Sequence, residues 1–131
     1  MNNCLTMQER RKVLIIEDEV ELCELLKNYF VRKEYEVHVS HTLNAGTRLV
    51  SSLHPDIILL DNNLPDGTGW NVAGDLVTES PNSYIIFISG YHPVLPELPG
   101  HTHYSVIEKP ISFRSLDQNL DTIGKTSHSS H

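Results

Sequence analysis

Two apolar runs with no polar alternation constrain this chain most. Val13-Leu14-Ile15-Ile16 runs into Glu17-Asp18-Glu19, and Ile57-Ile58-Leu59-Leu60 runs into Asp61. A strand with one wet face alternates apolar and polar residues, so these runs read as strands covered on both faces. Such strands belong to a parallel sheet with helices packed above and below it. The intervening sequence supplies those helices. Leu22, Leu25, Leu26, Tyr29 and Phe30 recur at three- and four-residue steps, which predicts an amphipathic helix from Val20 to Arg32. Thr42 is placed to cap a second helix that ends at Leu53, before His54-Pro55. Trp70, Val72, Ala73, Leu76 and Val77 mark a third helix ending near Ser80-Pro81, and Phe113, Leu116 and Leu120 mark a last one from about Ser112 to Ile123. Further strands are expected from Tyr35 to Val39, Tyr84 to Ile88 and Tyr104 to Ile107. Pro65, Gly67 and Gly69 make Leu64 to Gly69 a loop.

The fold class that follows is α/β, a single doubly wound five-stranded parallel sheet with right-handed crossovers. At 131 residues and 39% apolar content the chain suits one domain, expected over residues 12–123. Residues 1–11 form a polar leader. Residues 124–131 offer no apolar side to dock and read as a disordered tail. Seventeen acidic against ten basic residues give a net charge of −7, which argues against direct binding of nucleic acid or an anionic membrane. No run approaches the roughly 18 to 20 apolar residues of a membrane span, so a cytoplasmic chain without membrane insertion is expected. Cys4 and Cys23 suggest neither a disulfide framework nor a thiolate metal site, and Cys23 reads as a small packing residue of the first helix.

Sheets of this kind bind ligands beyond the carboxyl ends of their strands, near the point where strand order reverses. Glu17, Asp18, Asp61, Ser89 and Lys109 all fall at such ends. Three converging carboxylates repel one another and raise each other's pKa unless a cation joins them. Mg2+ answers that need, because it prefers oxygen ligands and keeps positions for water and a phosphoryl oxygen. Lys109 can place a positive charge on the phosphoryl group, and the Ser89 hydroxyl can donate to another of its oxygens. The remaining carboxylate then serves as a nucleophile, which needs charge neutralisation and in-line positioning more than a base.

Five pieces, in order, carry a family resemblance: Val13 to Glu19, Asp56 to Asp61, Leu64-Pro65-Asp66-Gly67-Thr68-Gly69, Phe87-Ile88-Ser89-Gly90 and Glu108-Lys109-Pro110. Together they resemble the response-regulator receiver domain of two-component signalling over roughly Lys12 to Ile123. The resemblance implies a flavodoxin-like sheet in strand order 2-1-3-4-5. It also implies that Asp61 is the phosphoacceptor, charged by a sensor histidine kinase, a phosphotransfer protein or a small acyl phosphate. Asp18 and Asp61 would be direct magnesium ligands, Glu17 would act through water, and Asn63 would offer its backbone carbonyl. Ser89 would be the switch hydroxyl and Lys109 the phosphate-pairing lysine, with a cis bond before Pro110. The chain would then be a signalling domain that assists its own phosphoryl transfer and hydrolysis, read by an unknown downstream protein, and not an enzyme acting on a separate substrate.

Two departures from the family stand out. Pro93, Pro96 and Pro99 leave helix four degenerate or absent, so His92 to Gly100 is expected to be extended or irregular. Val106 also stands three residues before Lys109, where the family has its switch aromatic, and Tyr104 lies two residues earlier. A phosphorylation-independent pseudo-receiver docking module is the main alternative, and the intact acids and lysine weigh against it. A magnesium-dependent phosphohydrolase of the haloacid-dehalogenase type would carry a second aspartate where this chain has Asn63.

Overall fold

The structure is a computed structural model in which residues 10–90 and 97–129 are described. Strand β1 (Lys12–Ile16) lies between β2 (Glu36–Ser40) and β3 (Ile57–Asp61); β6 (Tyr84–Ser89) follows β3, and β7 (Tyr104–Glu108) forms the far edge. All four pairings are parallel. The sheet order β2-β1-β3-β6-β7 is the doubly wound arrangement expected from the sequence, and it reverses direction between β1 and β3. Every residue of β3 and β6 is buried, as both-face coverage requires.

Each face of the sheet has its own core. On one, Val13, Ile15, Leu59 and Ile86 pack against α1 (Val20–Arg32) and α4 (Phe113–Ser129) through Leu26, Phe30 and Leu116. On the other, Leu14, Ile16, Leu60 and Phe87 meet Val50 of α2 (Leu43–Leu53) and Leu76 of α3 (Ala73–Glu79). Tyr29 fastens α4 to α1: its ring stacks on Phe113 with centroids 5.4 Å apart, and its hydroxyl donates to the Asp117 carboxylate.

The capping chemistry explains where the elements begin and end. Thr42 accepts from the Ala45 N–H at 3.2 Å and starts α2, as the sequence predicts. At the end of α1 the Glu34 N–H donates to the Val31 carbonyl and the Tyr35 N–H to the Phe30 carbonyl, with Glu34 at φ 69°. This is a Schellman closure, completed by an edge-to-face contact of Tyr35 with Phe30 at 5.3 Å. Tyr35 therefore still belongs to the helix end, which is why β2 begins one residue later than the expected start at Tyr35.

Three other boundaries differ from the sequence reading. Leu64 to Gly69 is not a simple loop: β4 (Asn63–Leu64) and β5 (Gly67–Thr68) form a short antiparallel hairpin, with Gly67 at φ +149°. Pro65 and Asp66 are the turn between them, and Gly67 tolerates a backbone conformation that a side chain would resist. The third helix begins as a 3-10 turn, Gly69–Val72, before α3. Helix α4 continues past Ile123 to Ser129, so residues 124–129 of the expected disordered tail are helical. No proline interrupts that stretch, and Gly124 alone does not stop a helix already nucleated.

The degenerate fourth helix falls partly outside the described residues, since residues 91–96 are not among them. Glu97 to Pro99 form no regular element and lead into a turn at Gly100 and His101, closed by the Thr102 N–H on the Pro99 carbonyl at 2.9 Å. The peptide bond between Lys109 and Pro110 is cis.

Candidate functional site

The carboxyl ends of β1, β3, β6 and β7 open on one pocket, where the chain leaves regular structure and polar side chains replace apolar ones. Glu17 follows β1 directly, and its N–H still donates to the Ser40 carbonyl at 2.9 Å, extending the ladder to β2. Its side chain is fully buried. The Glu19 N–H donates to Glu17 Oε2 at 3.0 Å, whereas Oε1 is buried with no hydrogen-bond partner. Asp61 closes β3 and is only 3% exposed. Asp18 is exposed at the rim. Glu17, Asp18 and Asp61 each offer a carboxylate oxygen, and these oxygens all lie within 4.8 Å of one another.

Burial pushes the Glu17 carboxyl up to about 7; the Asp61 charge adds to the rise, while the Glu19 N–H and Lys109 oppose it. Burial likewise raises Asp61, against the lowering pull of Lys109 and the Asn63 N–H. Lys109 answers the excess of negative charge. Its Nζ lies 3.6 Å from both Glu17 Oε1 and Asp61 Oδ1, and it donates to Glu19 Oε1 at 2.8 Å. Partial burial disfavours the ammonium, but the surrounding carboxylates outweigh it and hold the lysine above its usual pKa.

The backbone around Asp61 is tightly determined. A Cβ on Gly69 would sit 2.1 Å from the Asp61 carbonyl oxygen, so only glycine lets the loop close on this strand end. The Gly69 N–H donates to the Asn62 carbonyl at 3.0 Å, and Trp70 beside it is buried against Phe87, edge to face at 5.3 Å. The hairpin is anchored from the other side by Asp66, whose carboxylate accepts from the Leu43 and Asn44 N–H groups at 2.8 and 2.9 Å. Those two bonds at the first turn of α2 hold Asp66 below the usual carboxylate range.

Each residue singled out from the sequence can now be placed. Glu17, Asp18, Asp61 and Lys109 converge. Asn63 lies two positions after Asp61 in β4, with its backbone N–H close enough to lower the Asp61 carboxyl. Ser89 is buried at the end of β6, and its carbonyl accepts from the Lys109 N–H at 2.7 Å. Cys23 does more than pack: its thiol donates to the Glu17 carbonyl at 3.1 Å, which ties α1 to the acidic turn. Burial pushes that thiol up to about 11. Sequence reasoning gave no role to Glu19, Asp66 or Gly69. For Glu19 the signal was the third carboxylate of Glu17-Asp18-Glu19; for the other two it was the Asp66-Gly67-Thr68-Gly69 turn directly after an acidic strand end.

The donor set suits a hard divalent cation. Three carboxylates within 4.8 Å, one with a buried oxygen lacking any hydrogen-bond partner, supply the all-oxygen environment that Mg2+ prefers. Fold and pocket together define a doubly wound α/β protein with an acidic, lysine-bearing crevice where its strand order reverses. Residues 13–121 match the family model described as response regulator receiver domain, and the chain belongs to that family.

Relatives and solved structures agree. The chain is 27% identical over 120 residues to the transcriptional regulatory protein DpiA of Escherichia coli, covering 88% of this chain and 53% of that protein. It is 32% identical over 108 residues to the transcriptional regulatory protein YxdJ of Bacillus subtilis, covering 78% of this chain and 45% of that one. It therefore spans about half the length of the curated relatives it matches. A CheY-like response regulator receiver domain protein from Methanospirillum hungatei superposes with a TM-score of 0.81 at 19% identity, covering 92% of this chain and 99% of the other. At that identity the superposition speaks to the fold alone. Among the described residues no helix is long and apolar enough to cross a membrane.

Proposed function

We propose that this receiver domain accepts a phosphoryl group on Asp61 in a magnesium-dependent step and uses it to switch contacts with another protein. One observation carries the reading: Asp61 is a buried carboxylate at a strand end, within 3.6 Å of an ammonium and beside two further carboxylates that can share a cation. In the transfer, an Asp61 carboxylate oxygen forms a bond to phosphorus. The donor's bond to phosphorus breaks, and its electron pair leaves on the imidazole nitrogen of a phosphohistidine or on the carboxylate of an acyl phosphate.

Asp18 and Asp61 would hold Mg2+ directly, Glu17 through water and Asn63 by its carbonyl. The bound ion would neutralise charge that builds on the phosphoryl oxygens. Lys109 supplies a second positive charge beside Asp61. Its backbone is fixed to Ser89 by the 2.7 Å hydrogen bond, so a shift of either residue reaches the other. The Ser89 hydroxyl donates to the new phosphoryl group, and Gly90 beside it shifts in response. The phosphodonor is a histidine kinase or phosphotransfer protein of the cytoplasm, and the readout is a protein contact without direct nucleic-acid binding by this chain. Membrane insertion plays no part.

Intact-mass measurement after incubation with acetyl phosphate and Mg2+ tests the assignment. The wild type gains one phosphoryl mass, and Asp61→Asn gains none, because an amide is a poor nucleophile. Full uptake by Asp61→Asn, or none by the wild type, overturns it. The pseudo-receiver alternative gains no specific support, since the acids and Lys109 stand together at one end of the sheet.

A further inference from the structure

The Lys109 ammonium has three partners, and the nearest is not the carboxylate that would carry the phosphoryl group. Glu19 Oε1 accepts a direct hydrogen bond at 2.8 Å, while Asp61 Oδ1 and Glu17 Oε1 stand 0.8 Å further off, both at 3.6 Å. Glu19 occupies the N-cap position of α1, where an acidic side chain commonly bonds the exposed N–H groups of the first turn. Here the side chain makes no capping bond. Its backbone does the local work, with the carbonyl accepting from the Cys23 N–H at 3.0 Å, and the carboxylate is turned onto Lys109 instead.

The three carboxylates also differ in freedom. Glu17 is fully buried and held by the Glu19 N–H, and Asp61 is buried at a strand end, whereas the Glu19 side chain is 60% exposed. Only Glu19 can swing into water without leaving an unsolvated charge behind. A phosphoryl group on Asp61 would bring further negative charge and strong acceptor oxygens to the same ammonium. We propose that Glu19 competes with the phosphoryl group for Lys109, so that it sets how readily the pocket is occupied. The inference rests on the assignment of Asp61 as phosphoacceptor. It adds a residue that opposes occupation, acting through Lys109 and leaving the bonds made and broken unchanged.

The size of the effect follows from exposure. A partly solvated ion pair is worth roughly 0 to 1 kcal/mol, so releasing Lys109 strengthens phosphoryl binding by at most about fivefold. Beryllofluoride, a phosphoryl mimic, is titrated at saturating Mg2+ and read by the fluorescence of the chain's one tryptophan, Trp70, which adjoins Gly69 at the pocket. Glu19→Gln keeps the shape and removes the charge, and it should bind beryllofluoride about two- to fivefold more tightly than wild type. Glu21→Gln removes an equal charge from the first turn of α1 and should leave the affinity unchanged. In a Lys109→Gln background, Glu19→Gln should give no gain.

An unchanged or weaker affinity in Glu19→Gln, an equal gain in Glu21→Gln, or a gain that persists without Lys109 overturns the competition while leaving the Asp61 assignment intact. A wild type that binds no beryllofluoride and takes up no phosphoryl mass overturns both.

Discussion

Strands β6 and β7 are neighbours paired from Ile85 with Tyr104 to Ser89 with Glu108, yet they live in different environments. Every residue of β6 is buried, while β7 buries only Ile107 and exposes Tyr104 and Glu108. Both end beside one another: β6 in buried Ser89, whose carbonyl accepts from the N–H of Lys109, the residue that follows the edge strand. The difference separates two duties. The interior strands hold the buried polar residues in place, and the edge strand runs from the same end of the sheet along an exposed surface. Tyr104 spans both environments, since its ring meets the buried Phe87 edge to face at 5.9 Å while 43% of its surface stays exposed.

The largest expected effect sharpens that contrast through core deletion. Ile86→Ala removes a fully buried β6 side chain and should cost about 2 to 5 kcal/mol, whereas half-buried Val106→Ala in β7 should cost about 1 kcal/mol or less. Urea unfolding curves read both, and equal losses would erase the distinction between the strands. A smaller effect is expected where backbone presses on the site. Gly69→Ala forces a Cβ against the Asp61 carbonyl and should cost roughly 1 to 3 kcal/mol with slower phosphoryl uptake. Gly100→Ala, on the way to β7, meets open space and should stay within about 0.5 kcal/mol. If the two alanines are equally mild, the close approach at Gly69 is not what holds the pocket.

The last effect is a pH slope. Burial raises Glu17 from its usual 4.5 to about 7, so between those values the folded chain binds more protons than the unfolded one. Without divalent cation, stability should therefore fall as pH rises from about 4.5 to about 7 and remain at the lower level above that. Glu17→Gln should flatten this part of the Tm against pH profile, and Mg2+ should recover more stability above pH 7 in the wild type than in the variant. Parallel profiles for the two proteins would show that the buried acid is not the source.

The sheet and most of the pocket were legible because their signals are local. Four consecutive apolar residues before an acid announce both a buried strand and what stands at its end, as at Ile16-Glu17 and Leu60-Asp61. Thr42 announced its helix because a cap acts within three residues. The remainder depends on partners distant in sequence. Nothing near Asp66 reveals that its carboxylate meets the start of α2, and Glu19 is only the third acid of its turn until the far end of the chain brings Lys109 to it. Tyr35 looked like strand because its apolar ring suits either state, and the helix end claimed it by hydrogen bonding. The hairpin from Asn63 to Thr68 was hidden behind Pro65 and two glycines, which mark a turn without showing that the residues beside it pair.

The Asp66 bridge has a mechanical consequence. Strands β2 and β3 flank β1, and the bridge joins the segment after β2 to the segment after β3. Together with the Glu17 ladder bond to Ser40, it makes a closed hoop around the point where the acidic turn emerges. A hoop resists spreading in a way that separate loops do not. Mutual repulsion of Glu17, Asp18 and Asp61 thus loads a braced frame, and the strain stays available to whatever cation or phosphoryl group relieves it.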